Sequence, residues 1–318
     1  MNELHNKLLK STAVVTAKME STICQSCTAN NWKAMQGIYY QDLTHSKYRE
    51  LDVCATQNWE YTSNDNPKET IKVAINILAE VKTMAGYHLV FDSLDADTLP
   101  FFQSDYCDWV GYRIHNQKEK ITHILANEGI NQNDFHAIID ELYAAGYPDG
   151  KMKLWPLLIR PSKVKYLSGS FRETNIGSEK ELDNSVLWKA CQSLWSSIES
   201  FVDKRFQVFL SDLEVEASVA RQTENQESWF ELSIDRHSSF ASLFHPVVVT
   251  EAKLWKLDSS GEKIEQIDST RLFFRDHYGH TIRWFDVVNI EAFDSWIADT
   301  TKQYEDELIK RGGKRNFL

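Results

Sequence analysis

The chain is poor in the motifs that mark several common functional classes. It contains no G-x-x-x-x-G-K-[ST] and no G-x-G-x-x-G, the glycine-rich loops that cradle nucleotide phosphates. It has five cysteines in 318 residues, no apolar run long enough to cross a bilayer, and no secretory signal at its N-terminus. We therefore expect a cytoplasmic protein with no disulfide framework and no membrane contact. The missing loops also argue against the use of a nucleoside triphosphate.

Acidic side chains outnumber basic ones, with 46 Asp and Glu against 35 Lys and Arg and a formal net charge of −11. This balance argues against a protein that coats nucleic acid through bulk electrostatics, but it allows an enzyme with one basic groove. Residues 151–172 reverse the balance, because KMKLWPLLIRPSKVKYLSGSFR contains no acidic residue. The segment is either a solvated loop that balances acidic neighbours or a contact for the phosphate backbone. The predicted contact residues are Lys151, Lys153, Arg160, Lys163 and Lys165.

Hydrophobic periodicity divides the chain into three regions. Residues 1–93 hold a helix and then three or four strand-like runs. Residues 94–180 are less regular and are interpreted as an insertion that shapes substrate access. Residues 181–318 bring a long amphipathic helix, further strand-like runs and a closing helix, which either complete the first core or form an accessory region. The pattern predicts a mixed α/β fold in which helices cover a sheet.

The strand-like runs of the first region are WKAMQGIYYQD (32–42), KYRELDVCAT (47–56) and IKVAINILAEVK (71–82). The polar stretch NWEYTSNDNPKET between the second and third is predicted to be a loop. A fourth run, YHLVF (87–91), follows a turn at Gly86, and a later run covers 243–255.

Charged side chains lie at the ends of two of these strands. Because side chains alternate between the faces of a strand, Glu80 and Lys82 share one face, and Asp52 on a neighbouring strand can meet them. Glu20, on the first helix, can approach the same point. Carboxylates suit Mg²⁺, which polarises a phosphodiester, and a lysine beside it can orient water or stabilise developing charge.

The run YYQDLTHSKYRELDVCAT, followed by INILAEVKT and YHLVF and preceded by a helix that carries Glu20, resembles the PD-(D/E)xK nuclease superfamily over roughly residues 8–93. Leu51 stands where the name of the superfamily has proline. The resemblance implies a restriction-endonuclease-like mixed sheet flanked by helices, with a large mid-chain insertion. It also implies that Lys82 is the catalytic lysine. The implied metal ligands are Asp52, Glu80, Glu20 and the carbonyl of Val81.

The activity that the resemblance implies is that of a metal-dependent endonuclease. Mg²⁺ is the expected cofactor, with Mn²⁺ as a substitute, and DNA is favoured as the nucleic-acid partner. Either a partner protein or the central and C-terminal segments would supply specificity. A homodimer is a further possible assembly, and fold-level analogy points to antiphage defence or repair. Two alternatives stay open: a catalytically silent module that binds partners, and a nuclease directed at RNA.

Other motifs carry weaker signals. Glu251-Ala252-Lys253 repeats the E-x-K pattern but lacks an upstream strand like YRELDV. Gln192, on the helix after the insertion, is a candidate to point toward the site. Cys24 and Cys27 have a metal-like spacing, yet no second cysteine pair follows, so they are expected to pack as small apolar residues.

Overall fold

A computed structural model describes residues 3–62, 70–94, 107–109, 121–123, 165–175, 185–220, 240–275, 282–310 and 313–316. The predicted phosphate contacts Lys151, Lys153, Arg160 and Lys163 lie outside these ranges. Within them, no helix is long and apolar enough to cross a membrane.

The helices and strands follow one another along the whole described chain. The helices are α1 (Glu3–Leu9), α2 (Thr12–Ala29), α3 (Val186–Ala220) and α4 (Phe293–Lys310), the last preceded by a 3₁₀ turn (Ile290–Ala292). The strands are β1 (Lys33–Asp42), β2 (Lys47–Thr62), β3 (Thr70–Lys82), β4 (Tyr87–Phe91), β5 (Cys107–Trp109), β6 (Leu167–Ser168), β7 (Phe171–Asn175), β8 (Phe240–Thr250), β9 (Lys253–Leu257), β10 (Ile264–Ile267), β11 (Ser269–Arg275), β12 (Ile282–Asn289) and β13 (Gly313–Asn316).

A large mixed sheet forms the centre of the protein, with the strand order β1-β2-β3-β8-β12-β11-β6. Neighbours from β1 to β3 are antiparallel, whereas β3–β8 and β8–β12 are parallel. The sheet therefore joins strands from the first 82 residues to strands after residue 240. The mixed α/β class predicted from the sequence is confirmed.

A second, four-stranded sheet has the order β10-β9-β4-β7. The YHLVF run is β4 and belongs to this small sheet, where it lies parallel to β9 and antiparallel to β7. The predicted continuous run over 243–255 is wrong, because the chain bends at Glu251 and Ala252 between β8 and β9. The bend carries the chain from the large sheet into the small one.

Helices cover both faces of the large sheet. His245 contacts Tyr304 and Trp296 of α4, while its neighbour Phe244 stacks on Phe201 of α3. Adjacent residues of a strand point to opposite faces, so α3 and α4 lie on opposite sides of the sheet. Helix α2 packs beside α4.

Strand β2 is longer than the sequence indicates. Residues 58–62, predicted to begin a loop, continue the strand and pair with β3 on one side and β13 on the other. Trp59 shows the consequence, since it is 2% exposed and lies between Val73 and Arg315 in register. The pairing with β13 depends on residues more than 250 positions away. Local sequence therefore does not reveal it.

A buried polar network ties β8, β11 and β12 to α4. Asp286 accepts two bonds from Arg271, at 2.7 and 3.0 Å, and bonds to Nε2 of His245 at 2.7 Å. Nδ1 of His245 lies 2.7 Å from the hydroxyl of Tyr304. Burial alone would raise the pKa of Asp286, but the charges of Arg271 and His245 outweigh it and hold that pKa well below its usual range.

We expect Asp286→Ala to destabilise the fold strongly, because it removes the charge that compensates buried Arg271. Breaking a buried ion pair costs about 3–5 kcal/mol of unfolding free energy. Urea unfolding at pH 7 measures the loss. The control is Lys310→Ala. The Lys310 side chain is 68% exposed, and its Nζ lies 3.6 Å from Glu307 Oε1. That variant is expected to lose less than about 1 kcal/mol, and equal losses in both would contradict the prediction.

Candidate active site

The candidate site lies where β2 and β3 separate. Their pairing runs without a break from Thr62–Thr70 to Val53–Ala79 and stops there. Beyond this point β2 pairs, among the described strands, with β1 alone, while β3 continues with β8 as far as the pair Lys82–Thr250. The two strands therefore diverge here, with Asp52 of β2 on one side of the opening and Glu80 of β3 on the other.

The carboxylate of Asp52 bridges the opening. Its Oδ2 accepts a 2.6 Å hydrogen bond from the backbone N–H of Val81. Continued pairing would place Leu51 opposite Val81, so the side chain of Asp52 takes the hydrogen bond that the main chain of β2 no longer makes. An unpaired buried N–H is costly, and the aspartate removes that cost at the point of separation.

Lys82 lies between the two carboxylates. Its Nζ is 2.6 Å from Oε2 of Glu80 and 3.6 Å from Oδ2 of Asp52. The side chain of Glu80 is 4% exposed, that of Asp52 19% and that of Lys82 27%. The structure therefore brings together the three residues that the strand pattern predicted to converge, in a recess that is open to solvent on the side of Asp52 and Lys82.

Helix α3 holds the other oxygen of Glu80. Ser193 Oγ donates a 2.8 Å hydrogen bond to Glu80 Oε1, and the hydroxyl of Tyr40 on β1 lies 3.0 Å from both Ser193 Oγ and the Ser193 carbonyl oxygen. Sequence reasoning missed Ser193 and Tyr40. On this helix it named only Gln192, as a weak candidate, and that residue is exposed. No signal short of the tertiary fold marks one serine of a long helix as the partner of a strand glutamate.

Gly37 changes which face of the sheet the side chains of β1 point to beside the site. Ala34 and Gln36 line an open surface pocket with residues of α2, whereas Tyr40, at the same strand parity, bonds to α3 on the opposite side. Gly37 lies between them at φ +64°, directly across from Asp52 in the register. Because glycine adopts positive φ without steric cost, it reverses the face alternation at this level.

The charges at the site shift two pKa values upward. Burial raises the pKa of Glu80, an effect that the Lys82 charge opposes and the Asp52 charge reinforces. Burial would lower the pKa of Lys82, but the charges of Glu80 and Asp52 outweigh it and raise that pKa. Two carboxylates and one ammonium leave a net negative charge, which favours the binding of a further cation, whether a proton or a metal.

The oxygen donors of the recess fit Mg²⁺. Mg²⁺ is usually bound by one or two carboxylates, with water and substrate phosphate as the other ligands, and Asp52 and Glu80 supply two. The backbone C=O of a strand residue points to the same side as its N–H, so the carbonyl of Val81 faces the same opening as its amide. Lys82 already places a positive charge between the two carboxylates.

Glu20 stays at the margin of this set. It lies on α2, where burial raises its pKa and the charge of Asp52 adds to the rise. Near it, Thr16 on α2 lies 3.4 Å from Thr83 through their hydroxyls, which keeps the helix close to the end of β3. Within the described ranges, however, no group of three or more His, Cys, Asp or Glu side chains is placed to hold a metal ion. The structure thus brings Glu20 within electrostatic range without joining it to Asp52 and Glu80.

The remaining candidates lie elsewhere. Lys165 is exposed, and its Nζ is 4.8 Å from the centroid of the Tyr166 ring. Glu251 and Lys253 occupy the bend between β8 and β9 and the start of β9, so they do not share the end of a strand as Glu80 and Lys82 do. Cys27 is buried in the core, as predicted for a small apolar residue.

No protein family, curated protein or solved structure matches this chain. The geometry of the recess therefore carries the functional argument.

We expect Gly37→Ala to disturb the site beyond its cost in stability. A left-handed backbone costs a non-glycine residue about 1–2 kcal/mol, and a Cβ at this position would lie 3.0 Å from Glu50 Oε1. If β1 then shifts, Tyr40 loses its place beside Ser193 and calorimetry should show weaker Mg²⁺ binding.

The matched control for this substitution is Gly261→Ala. Gly261 has φ +75° and open space around its Cβ position. It should lose a similar amount of unfolding free energy and keep Mg²⁺ binding unchanged. Wild-type Mg²⁺ affinity in Gly37→Ala would show that the turn has no part in the geometry of the site.

Binding of Mg²⁺ should release protons at acidic pH. The pKa of Glu80 is raised above its ordinary value of 4.5, so its carboxylate takes up protons as the pH falls from neutral toward that value. A metal must displace those protons, so the apparent affinity should fall and proton release should rise over this window. Calorimetry in two buffers of different ionisation enthalpy measures the release. An affinity that stays constant as the pH falls from neutral toward 4.5 would contradict the prediction.

Proposed function

We propose that this protein is a metal-dependent nuclease of the PD-(D/E)xK type that hydrolyses phosphodiester bonds. One observation carries the proposal: Asp52, Glu80 and Lys82 converge at the point where two antiparallel strands separate. A large mixed sheet with helices on both faces is compatible with a restriction-endonuclease-like core, which is part of the proposal.

Asp52 and Glu80 are assigned to the metal. Mg²⁺ held by these carboxylates would polarise the scissile phosphodiester and favour ionisation of a water molecule. Glu80 presents Oε2 toward Lys82 and Asp52 because Oε1 is engaged by Ser193. Asp52 is fixed by the amide of Val81. Both carboxylates are therefore oriented before substrate binds, which lowers the cost of organising the site.

Lys82 is assigned to charge stabilisation. The charges of Glu80 and Asp52 raise the pKa of Lys82, so the amine is protonated in the metal-free site and can donate to a phosphate oxygen or hold a water. A preorganised cation beside a phosphorus centre that gains negative charge stabilises the transition state.

The deciding experiment measures cleavage of labelled double-stranded DNA, single-stranded DNA and RNA with Mg²⁺ or Mn²⁺. Asp52→Asn and Lys82→Met are expected to lower the rate at least about 10²-fold, the usual effect of removing one group that stabilises transition-state charge. The matched controls are Glu251→Gln and Lys253→Met, which alter the other E-x-K sequence and should cut at the wild-type rate.

The other outcomes separate the alternatives. Faster cutting of RNA than of DNA would reassign the substrate. If no substrate is cut, calorimetry with Mg²⁺ becomes decisive: binding that Asp52→Asn abolishes would indicate a site that depends on a partner, whereas no binding would remove the nuclease proposal. Wild-type cleavage in Asp52→Asn and Lys82→Met would place the chemistry elsewhere.

A further inference from the structure

The β1–β2 hairpin projects from the sheet beside the candidate site. Between Asp52 and the turn, the hairpin pairs with no third strand among the described residues. The turn spans residues 43–46. Asp42 stiffens the turn: it is 2% exposed, accepts bonds from the amides of Thr44 and His45, and pairs with Arg49 at 2.6 Å. We call residues 38–51 the arm.

The arm exposes two tyrosines on one face. Tyr39 is 66% exposed and Tyr48 is 75% exposed. In the register Tyr39 lies opposite Glu50 and Tyr48 lies opposite Gln41, so the two rings are diagonal neighbours on the same face. Single exposed aromatics are common, but here two of them share one face of a short hairpin.

The turn-over at Gly37 determines which tyrosine faces solvent. Tyr40 packs inward against Ser193, and its neighbour Tyr39 consequently points outward, where its hydroxyl donates to Glu50 Oε2 at 3.3 Å. The positive φ at Gly37 therefore has two effects. It places Tyr40 against Ser193, which holds Glu80, and it directs Tyr39 toward solvent.

We propose that the exposed face of the arm is a stacking platform for unpaired bases of a nucleic-acid strand whose backbone reaches Asp52. The inference rests on the proposed nuclease function and names its substrate class: single-stranded nucleic acid, or a duplex with an unpaired segment. Tyr48 precedes Asp52 by four residues, about 13 Å of strand, which is roughly the length of four stacked nucleotides.

The rings of the arm, and not its charges, favour unpaired over paired strands. Lys47 and Arg49 are offset by Asp42 and Glu50, and the whole chain carries a net charge of −11. Phosphate contacts with a duplex or with a single strand depend on several unneutralised cations, and this arm does not provide them, so stacking on the rings has to supply the preference. Aromatic rings bind bases that are unstacked and accessible, as they are in single strands.

Binding can be tested apart from cleavage. Fluorescence anisotropy of a labelled oligothymidylate and of a matched duplex, both in EDTA, gives affinities without metal. The wild-type protein should prefer the single strand. The double variant Tyr39→Ala, Tyr48→Ala should lose about 5- to 100-fold in affinity for each ring removed. The double variant Tyr39→Phe, Tyr48→Phe should retain binding, because phenylalanine keeps the ring.

The matched control is Leu43→Ala, which removes a 47% exposed side chain from the tip of the same arm without removing a ring. It should bind as the wild type does. Circular dichroism checks the fold of each variant, and if the double variant unfolds, Tyr48→Ala alone, at the more exposed position, tests the same ring.

Three results would overturn the platform. They are equal binding by the wild type and the alanine variants, no binding of single strands by the wild type, and a tyrosine-dependent dimer in sedimentation, which would make the arm an interface between two copies. Metal-dependent cleavage that persists beside any of these results would leave the proposed nuclease standing. Absence of both cleavage and metal binding would remove the nuclease itself, so the two failures are distinguishable.

Discussion

The hydrogen bond from the Val81 amide to the carboxylate of Asp52 is the interaction on which the rest of the site depends. Two antiparallel strands that separate leave main-chain groups without partners, and such groups are costly when buried. Here a side chain of one strand satisfies the amide of the other. The same bond fixes Asp52 at the opening and holds it level with Glu80. A structural requirement of the sheet and a chemical requirement of the recess are thus met by one carboxylate.

The recess places two carboxylates side by side, and their repulsion and burial cost folding free energy. Glu80 is almost fully buried beside a second carboxylate, and one lysine compensates both. The arrangement persists because α3 and β1 hold it from outside the strand pair, through Ser193 and Tyr40. Residues that are unfavourably charged in the folded state and held by their surroundings are typical of functional sites, although structural ion pairs also perturb pKa values. The proposed metal would relieve the excess negative charge that the lysine leaves.

The sequence allowed the three central residues to be predicted because strand periodicity is a local property. Glu80 and Lys82 are two residues apart and share a face, and the YRELDV run marks Asp52 as a strand residue. Glu20 was predicted as a ligand from the family resemblance, but its helix position alone could not set its distance from Asp52. Ser193 and Gly37 were missed because their roles arise from contacts between elements far apart in the chain. The place of YHLVF in the second sheet was not visible for a similar reason: its partner β9 is more than 150 residues away.

The sequence by itself determined the mixed α/β class, the strands that carry Asp52 and Glu80, and the shared face of Glu80 and Lys82. These follow from alternation and amphipathic periodicity, which depend on near neighbours. Only the tertiary structure decided where β2 and β3 separate, which side chain of α3 meets Glu80, and which tyrosine of β1 faces solvent. These depend on strand register and on a single positive φ at Gly37, and a change of one residue in register would exchange the buried and exposed faces.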